Sequence, residues 1–171
     1  MSAPIERPRI FSHLTRTRFL HIEDALERDL PSKSKLRFFI GSFERGQGSS
    51  GVAYAFLDVD DARVLFSDMA WGKPVEFNDF KGGKDGAGAV VSRRLKIQTR
   101  ENQVWIQVAN GPGQADVNGA VKPLGKPTVE ISIPLTIFEG RKLAFACLGY
   151  VQAWEICKVS GVRFHVSGSA Q

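Results

Sequence analysis

With 171 residues, 43% of them hydrophobic and 24% charged, the chain is long enough to bury a real core, as one domain or as two small ones fused. The formal net charge of +5 leans toward an anionic partner without requiring one. There is no signal-peptide core and no charge-free apolar run of about 18 residues, so a cytoplasmic protein with no membrane span is expected.

Residues 1–11 are rich in proline and arginine and read as an arm. Phe19, Ile22, Ala25, Leu26 and Leu30 then fall at helical spacing before Pro31, which predicts a helix and sets residues 1–35 apart as an N-terminal arm and helix. Residues 36–159 read as a single α+β domain, and 160–171 as a short strand or tail. Within the domain, LRFFIGSF (36–43) and GVAYAFLDV (51–59) are predicted strands around the flexible ERGQGSS. One face of the first carries Leu36, Phe38 and Ile40; the other carries Arg37, Phe39, Gly41 and Phe43, where basic and aromatic residues meet. Asp60 is the expected N-cap of a helix with Ala62, Leu65, Phe66 and Met69 on one face, ending near Gly72. FNDFKGGKDGAGA (77–89) reads as a glycine-rich loop bearing Lys81 and Lys84.

RRLKIQTRENQVWIQVANGPG (93–113) is the most informative stretch. Antiparallel residues directly opposite one another share a face. A two-residue turn at Glu101 and Asn102 pairs Arg100 with Gln103, Gln98 with Trp105, Lys96 with Gln107 and Arg94 with Ala109. The other face then pairs Thr99 with Val104, Ile97 with Ile106 and Leu95 with Val108, and is apolar apart from the threonine. A three-residue turn would mix the two sets, and a buried face selects register strongly. Trp105 is therefore expected opposite the core, among amides and cations.

A long loop, 110–127, carries Lys122 and Lys126 before a strand at TVEISI (128–133). Thr136 and Glu139 have capping-box spacing and open a helix to about Cys157. Leu143, Phe145, Leu148, Tyr150, Val151 and Trp154 cover most of its circumference, so it is buried on several sides or pairs subunits. Cys147 and Cys157 sit about 15 Å apart by helical rise, too far for a disulfide, and read as reduced thiols. The fold class is α+β, with curled antiparallel sheet and the order strands-then-helix occurring twice.

No metal, phosphate-loop or nucleophile motif appears: no HExxH, no GxSxG, no GxxxxGK[ST]. Asp58, Asp60 and Asp61 could bind a divalent ion, but capping explains them more simply. No cofactor and no enzymatic activity are expected. Binding has better material. Single-stranded nucleic acid needs cations for phosphates and flat rings for bases on one open surface. Phe39, Phe43 and Trp105 supply rings, and Arg94, Lys96, Lys122 and Lys126 supply charge. Lys81 and Lys84 lie in reach on a loop, and Gln98, Gln103 and Gln107 can bond base edges or sugars. Charge follows the same division: residues 36–72 hold three basic and five acidic groups, residues 73–126 nine basic and five acidic.

QVWIQV, the approach GAVKPLGKP and the run VEISIPLTIFEGRKL resemble the Whirly-like single-stranded-DNA-binding group, which includes the transcriptional positive coactivator and purine-rich-element-binding proteins. The resemblance covers about residues 92–157, with Leu135, Phe138 and Leu143 in the pattern that opens the helix. It implies DNA strands lying across sheet edges and faces, and homo-oligomers formed through the 137–157 helix; the expected partner is single-stranded DNA or RNA, DNA first. The long 110–120 insertion and the N-terminal helix depart from it. Two rivals stand beside it: an oligomeric scaffold whose Trp105 face is a protein interface, and a metal-dependent enzyme using the three aspartates.

Overall fold

Residues 7–27, 33–44 and 46–161 are described by the structure, a computed structural model. β1 (Arg9–Leu14), β2 (Arg18–Ala25), β3 (Lys35–Glu44) and β4 (Gly48–Asp58) form an antiparallel sheet in chain order, followed by α1 (Val59–Ala70). β5 (Glu76–Lys84), β6 (Val90–Arg100) and β7 (Gln103–Ala115) begin a second antiparallel sheet. The short β8 (Val121–Pro123) pairs with the far end of β7, and β9 (Val129–Thr136) closes the sheet before α2 (Ile137–Ser160). The protein is thus α+β, with an antiparallel sheet followed by a helix occurring twice, four strands the first time and five the second, and one sheet strongly curled. No helix among the described residues is long and apolar enough to cross a membrane.

One core lies between the sheets and helices. Leu20, Ile22, Phe38 and Ile40 of the first sheet and Ile97, Ile106 and Ile133 of the second are fully buried, with Phe66 from α1 and Leu143 and Cys147 from α2. Burial also pushes the Cys147 thiol far up from its ordinary value. The other thiol, Cys157, is half-buried, and both are free.

The 93–113 hairpin forms in the expected register: Gln98 faces Trp105, Lys96 faces Gln107 and Ile97 faces Ile106. Its turn holds Glu101 at φ 48° and Asn102 at φ 62°, the left-handed pair that a twisted two-residue hairpin turn demands. The capping box is also present: Thr136 Oγ1 accepts from the Glu139 amide at 3.1 Å, and Glu139 Oε2 accepts from the Thr136 amide at 3.2 Å.

Several expectations are corrected. The predicted helix near Phe19–Leu30 is strand β2 over its described part; Leu30 and Pro31 lie outside the described residues. Phe19, Ile22, Ala25 and Leu26 fit a helical stripe, but Leu20 and Ile22 fit a period of two equally well, and pairing of the whole of β2 with β3 decides it. The boundary at residue 35 therefore falls inside the first sheet. The supposed loop 77–89 is mostly β5, so Lys81 and Lys84 stand on a strand. Its glycines signal close approach rather than a break: a Cβ on Gly82 would lie 1.8 Å from the Val121 Cβ, because β8 folds across that spot. The 110–127 loop continues β7 to Ala115 and returns through β8, and its last residues cross β7 so closely that a Cβ on Gly111 would lie 2.8 Å from the Pro127 Cα. The helix α1 starts after Asp58, not Asp60, and Asp58 makes no side-chain cap. The strand or tail read at 160–171 lies outside the described residues beyond Gly161.

Candidate nucleic-acid interface

Alternation on β7 sends Val104, Ile106 and Val108 to the core and Gln103, Trp105 and Gln107 to the opposite face. Trp105 lies between Gln98 on β6 and Pro134 on β9. Around the half-buried indole, Lys96, Gln98, Arg100, Gln107 and Ser132 line a shallow hollow of about 200 Å³, built from strand residues alone. Arg100, absent from the expected set, belongs here: its Nη2 donates to Gln98 Oε1 at 2.8 Å and orients that amide. Strand alternation from Lys96 and Gln98 could have found it.

Arg94 shares the face but is partly committed. Its Nη2 donates to Glu130 Oε2 at 2.8 Å and to Gln107 Oε1 at 3.2 Å, while Gln107 Nε2 donates to Glu130 Oε1 at 2.8 Å. Lys96, Arg100, Lys122 and Lys126 make no ion pair among the described residues. Lys122 and Lys126 are exposed on β8 and the strap after it, and Lys84 is exposed at the end of β5, on the Trp105 side.

Lys81 does not join this surface. Alternation on β5 turns it to the other face, where its ammonium meets Asp58 Oδ2 at 2.6 Å and Asp79 Oδ2 at 2.7 Å. Lys35 pairs with the second oxygen of Asp58. Burial works against charge on Asp58, but its hydrogen bonds to Lys35 and Lys81 override this and hold the carboxyl below its ordinary value. Burial likewise works against charge on Lys81, and Asp58 and Asp79 override it, leaving the ammonium above its ordinary value. A depressed carboxyl contributes stability that is present above its unfolded pKa, about 4, and is lost as pH falls through the folded value. Asp58→Asn should therefore lower the urea midpoint at pH 7, and the gap from wild type should close in acid below about pH 4. A gap independent of pH would assign the loss to packing.

Phe39 and Phe43 also lie elsewhere. Phe39 is on the core-averted face of the first sheet, and a register shift between Ser42 and Phe43 interrupts the alternation that placed the two together. What Phe39 joins is a second aromatic surface. Its ring lies 5.5 Å from Phe19, and the Arg37 guanidinium sits 4.8 Å from Phe39 and 4.7 Å from Tyr54. Arg93, from the second sheet, stacks 4.7 Å from Tyr54, and its Nη2 donates to the Tyr54 hydroxyl at 2.8 Å. Asn110 ties the sheets at the same point, donating to the Tyr54 carbonyl at 2.8 Å and accepting from its amide at 2.9 Å. His21 closes the row at 4.9 Å from Phe19; burial and Arg9 hold it below its ordinary pKa against the pull of Glu23. The signal for this surface was the alternation of Phe19 and His21 with Leu20 and Ile22, hidden by the helical reading, and of Tyr54 and Phe56 with Ala53, Ala55 and Leu57.

Two faces thus carry rings beside cations. On the first sheet the guanidiniums already cover the rings they meet; on the second, Trp105 has free cations around it and an open hollow. No protein-family model matches the chain, and no curated protein or solved structure matches it.

Proposed function

We propose that the protein binds single-stranded nucleic acid, DNA in preference to RNA, along the β6–β7–β9 face, without catalysing a reaction. The observation that carries this reading is the half-buried Trp105 indole on a core-averted sheet face between Lys96 and Arg100, in a hollow that no helix or loop lines. A base stacked on such a ring gains about 1–3 kcal/mol whatever its identity, and Gln98, Gln103 and Gln107 offer donors and acceptors with no fixed sequence code. The resemblance to the Whirly-like group supports the same reading, as does the repeated sheet-and-helix order. It also suits pairing of two copies through α2, which leaves Phe138, Phe145, Ile156 and Val159 exposed.

Salt dependence tests the proposal against the scaffold reading. If Lys96, Arg100, Lys122 and Lys126 each neutralise one phosphate, log K for an oligothymidylate should fall against log salt with a slope of about −3, at roughly −0.7 per contact. Lys96→Ala should flatten that slope by about 0.7. Absence of oligonucleotide binding at low salt would overturn the proposal and leave the Trp105 face as a protein interface.

A further inference from the structure

A second open ring stands on the same side of the sheet as Trp105. Phe80, on β5, lies opposite Arg94, and Trp105, on β7, lies opposite Gln98, four residues further along β6. Phe80 is 44% exposed. The strap of residues 123–127 passes beside it and closes a shallow pocket of about 210 Å³, walled by the ring and by Pro112, Pro123 and Pro127. Drug-sized ligands occupy about 300–1,000 Å³; this pocket has room for one flat ring system.

Its lining favours the face of a base over a phosphate. Arg94 belongs to the wall, but its Nη2 donates to Glu130 and Gln107, and its Nε is buried with no hydrogen-bond partner among the described residues. A carboxylate therefore already meets the guanidinium charge, and no free pair of donors is left to clamp an anion or to read one base's edge. What remains is an aromatic ring and three prolines, an apolar lining that stacks on any base and distinguishes none. Arg94 also leaves the ring open: it stands 6.0 Å from the Phe80 centroid, against 4.7–4.8 Å for the guanidiniums over Phe39 and Tyr54. Free positive charge lies around the pocket rather than in it. Lys126 on the rim, Lys122 on β8 and Lys84 at the end of β5 are exposed and make no ion pair among the described residues. Bases turned toward rings and phosphates turned toward ammonium groups are what a single strand needs.

We propose that the Phe80 pocket is a second base seat for the strand held at Trp105, without preference for the base. This rests on the single-strand reading above. The two rings are about 16 Å apart, from four residues of about 3.3 Å along β6 and two strand spacings of about 4.8 Å across it. Stacked neighbouring bases lie only about 3.4 Å apart. Adjacent nucleotides therefore cannot fill both seats, and a strand of about four or more is needed, passing over Lys96 between them.

Fluorescence anisotropy with labelled oligothymidylates tests this. On a strand of about 12 nucleotides, Phe80→Ala should weaken binding about 5-fold or more, the low end of what one stacked base supplies, with the salt slope unchanged. Phe80→Tyr keeps the ring and should bind as wild type does. Combining Phe80→Ala with Trp105→Ala should multiply the two single losses, because rings this far apart hold different bases. Lengthening the strand from about three nucleotides to about 12 should raise affinity by a larger factor in wild type than in Phe80→Ala, since only the longer strand fills both seats. Unchanged affinity of Phe80→Ala, or an equal length gain in the two proteins, would remove this seat and leave the Trp105 site standing. Equal losses in Phe80→Ala and Phe80→Tyr would also overturn it, because the ring would then matter only for packing of the strap. Failure of every oligonucleotide to bind would overturn both readings.

Discussion

Trp105→Ala should weaken binding of a single-stranded oligonucleotide by about 1–3 kcal/mol, roughly 5- to 150-fold. The indole is the one large ring in the hollow, and its neighbours there are amides, cations and a serine that cannot replace a stacking platform. Because the ring neutralises no phosphate, the salt slope should stay as in wild type, whereas Lys96→Ala should change the slope. The two variants therefore separate stacking from charge on the same surface. Trp105 lies opposite the buried Ile106 layer, so the alanine variant should remain folded, which a circular-dichroism melt checks. Trp71, 81% exposed at the end of α1, is the control: Trp71→Ala removes an equally large ring away from the sheet face and should leave binding unchanged. Equal affinity of wild type and Trp105→Ala would take the ring out of the site.

That face was legible in the sequence because two constraints coincided. The apolar set of Leu95, Ile97, Val104, Ile106 and Val108 admits one register, and Asn102 tolerates the turn that the register needs. Once the pairing was set, alternation placed Trp105, Lys96, Gln98 and Gln107 together. Elsewhere the signals competed. Phe19, Ile22 and Ala25 satisfy a period of 3.6, while Leu20 and Ile22 alternating with Phe19 and His21 satisfy a period of two; only pairing with β3, a long-range fact, decides between them. Glycines 82, 111 and 113 look like loop punctuation in sequence, yet they are strand residues kept bare because β8 and its strap pass over them. Lys81 reads as available in sequence because the glycines beside it mask its strand, and its pairing with Asp58 joins residues 23 apart in the chain.

The largest effect on stability is expected from Phe66→Ala, about 3–5 kcal/mol in urea unfolding at pH 7. Phe66 is fully buried on α1 and stacks on Phe38 of β3, with centroids 6.4 Å apart and planes 28° apart. The strand beside Phe38 offers Ala55, which is too short to fill the void, and β2 offers Ile22, already packed. Against a typical total of about 5–15 kcal/mol for a folded protein, a loss of that size is roughly a fifth or more of the whole. Phe66→Leu keeps most of the volume and should lose much less. The contrast lies on α2, where Phe145 is 59% exposed. In a monomer Phe145→Ala should change stability by no more than about 0.5 kcal/mol. If α2 pairs two copies, the same variant should lower the unfolding midpoint by an amount that depends on protein concentration, because association favours only the folded state. A loss independent of concentration belongs to the core, as for Phe66, and one that depends on it belongs to a subunit interface.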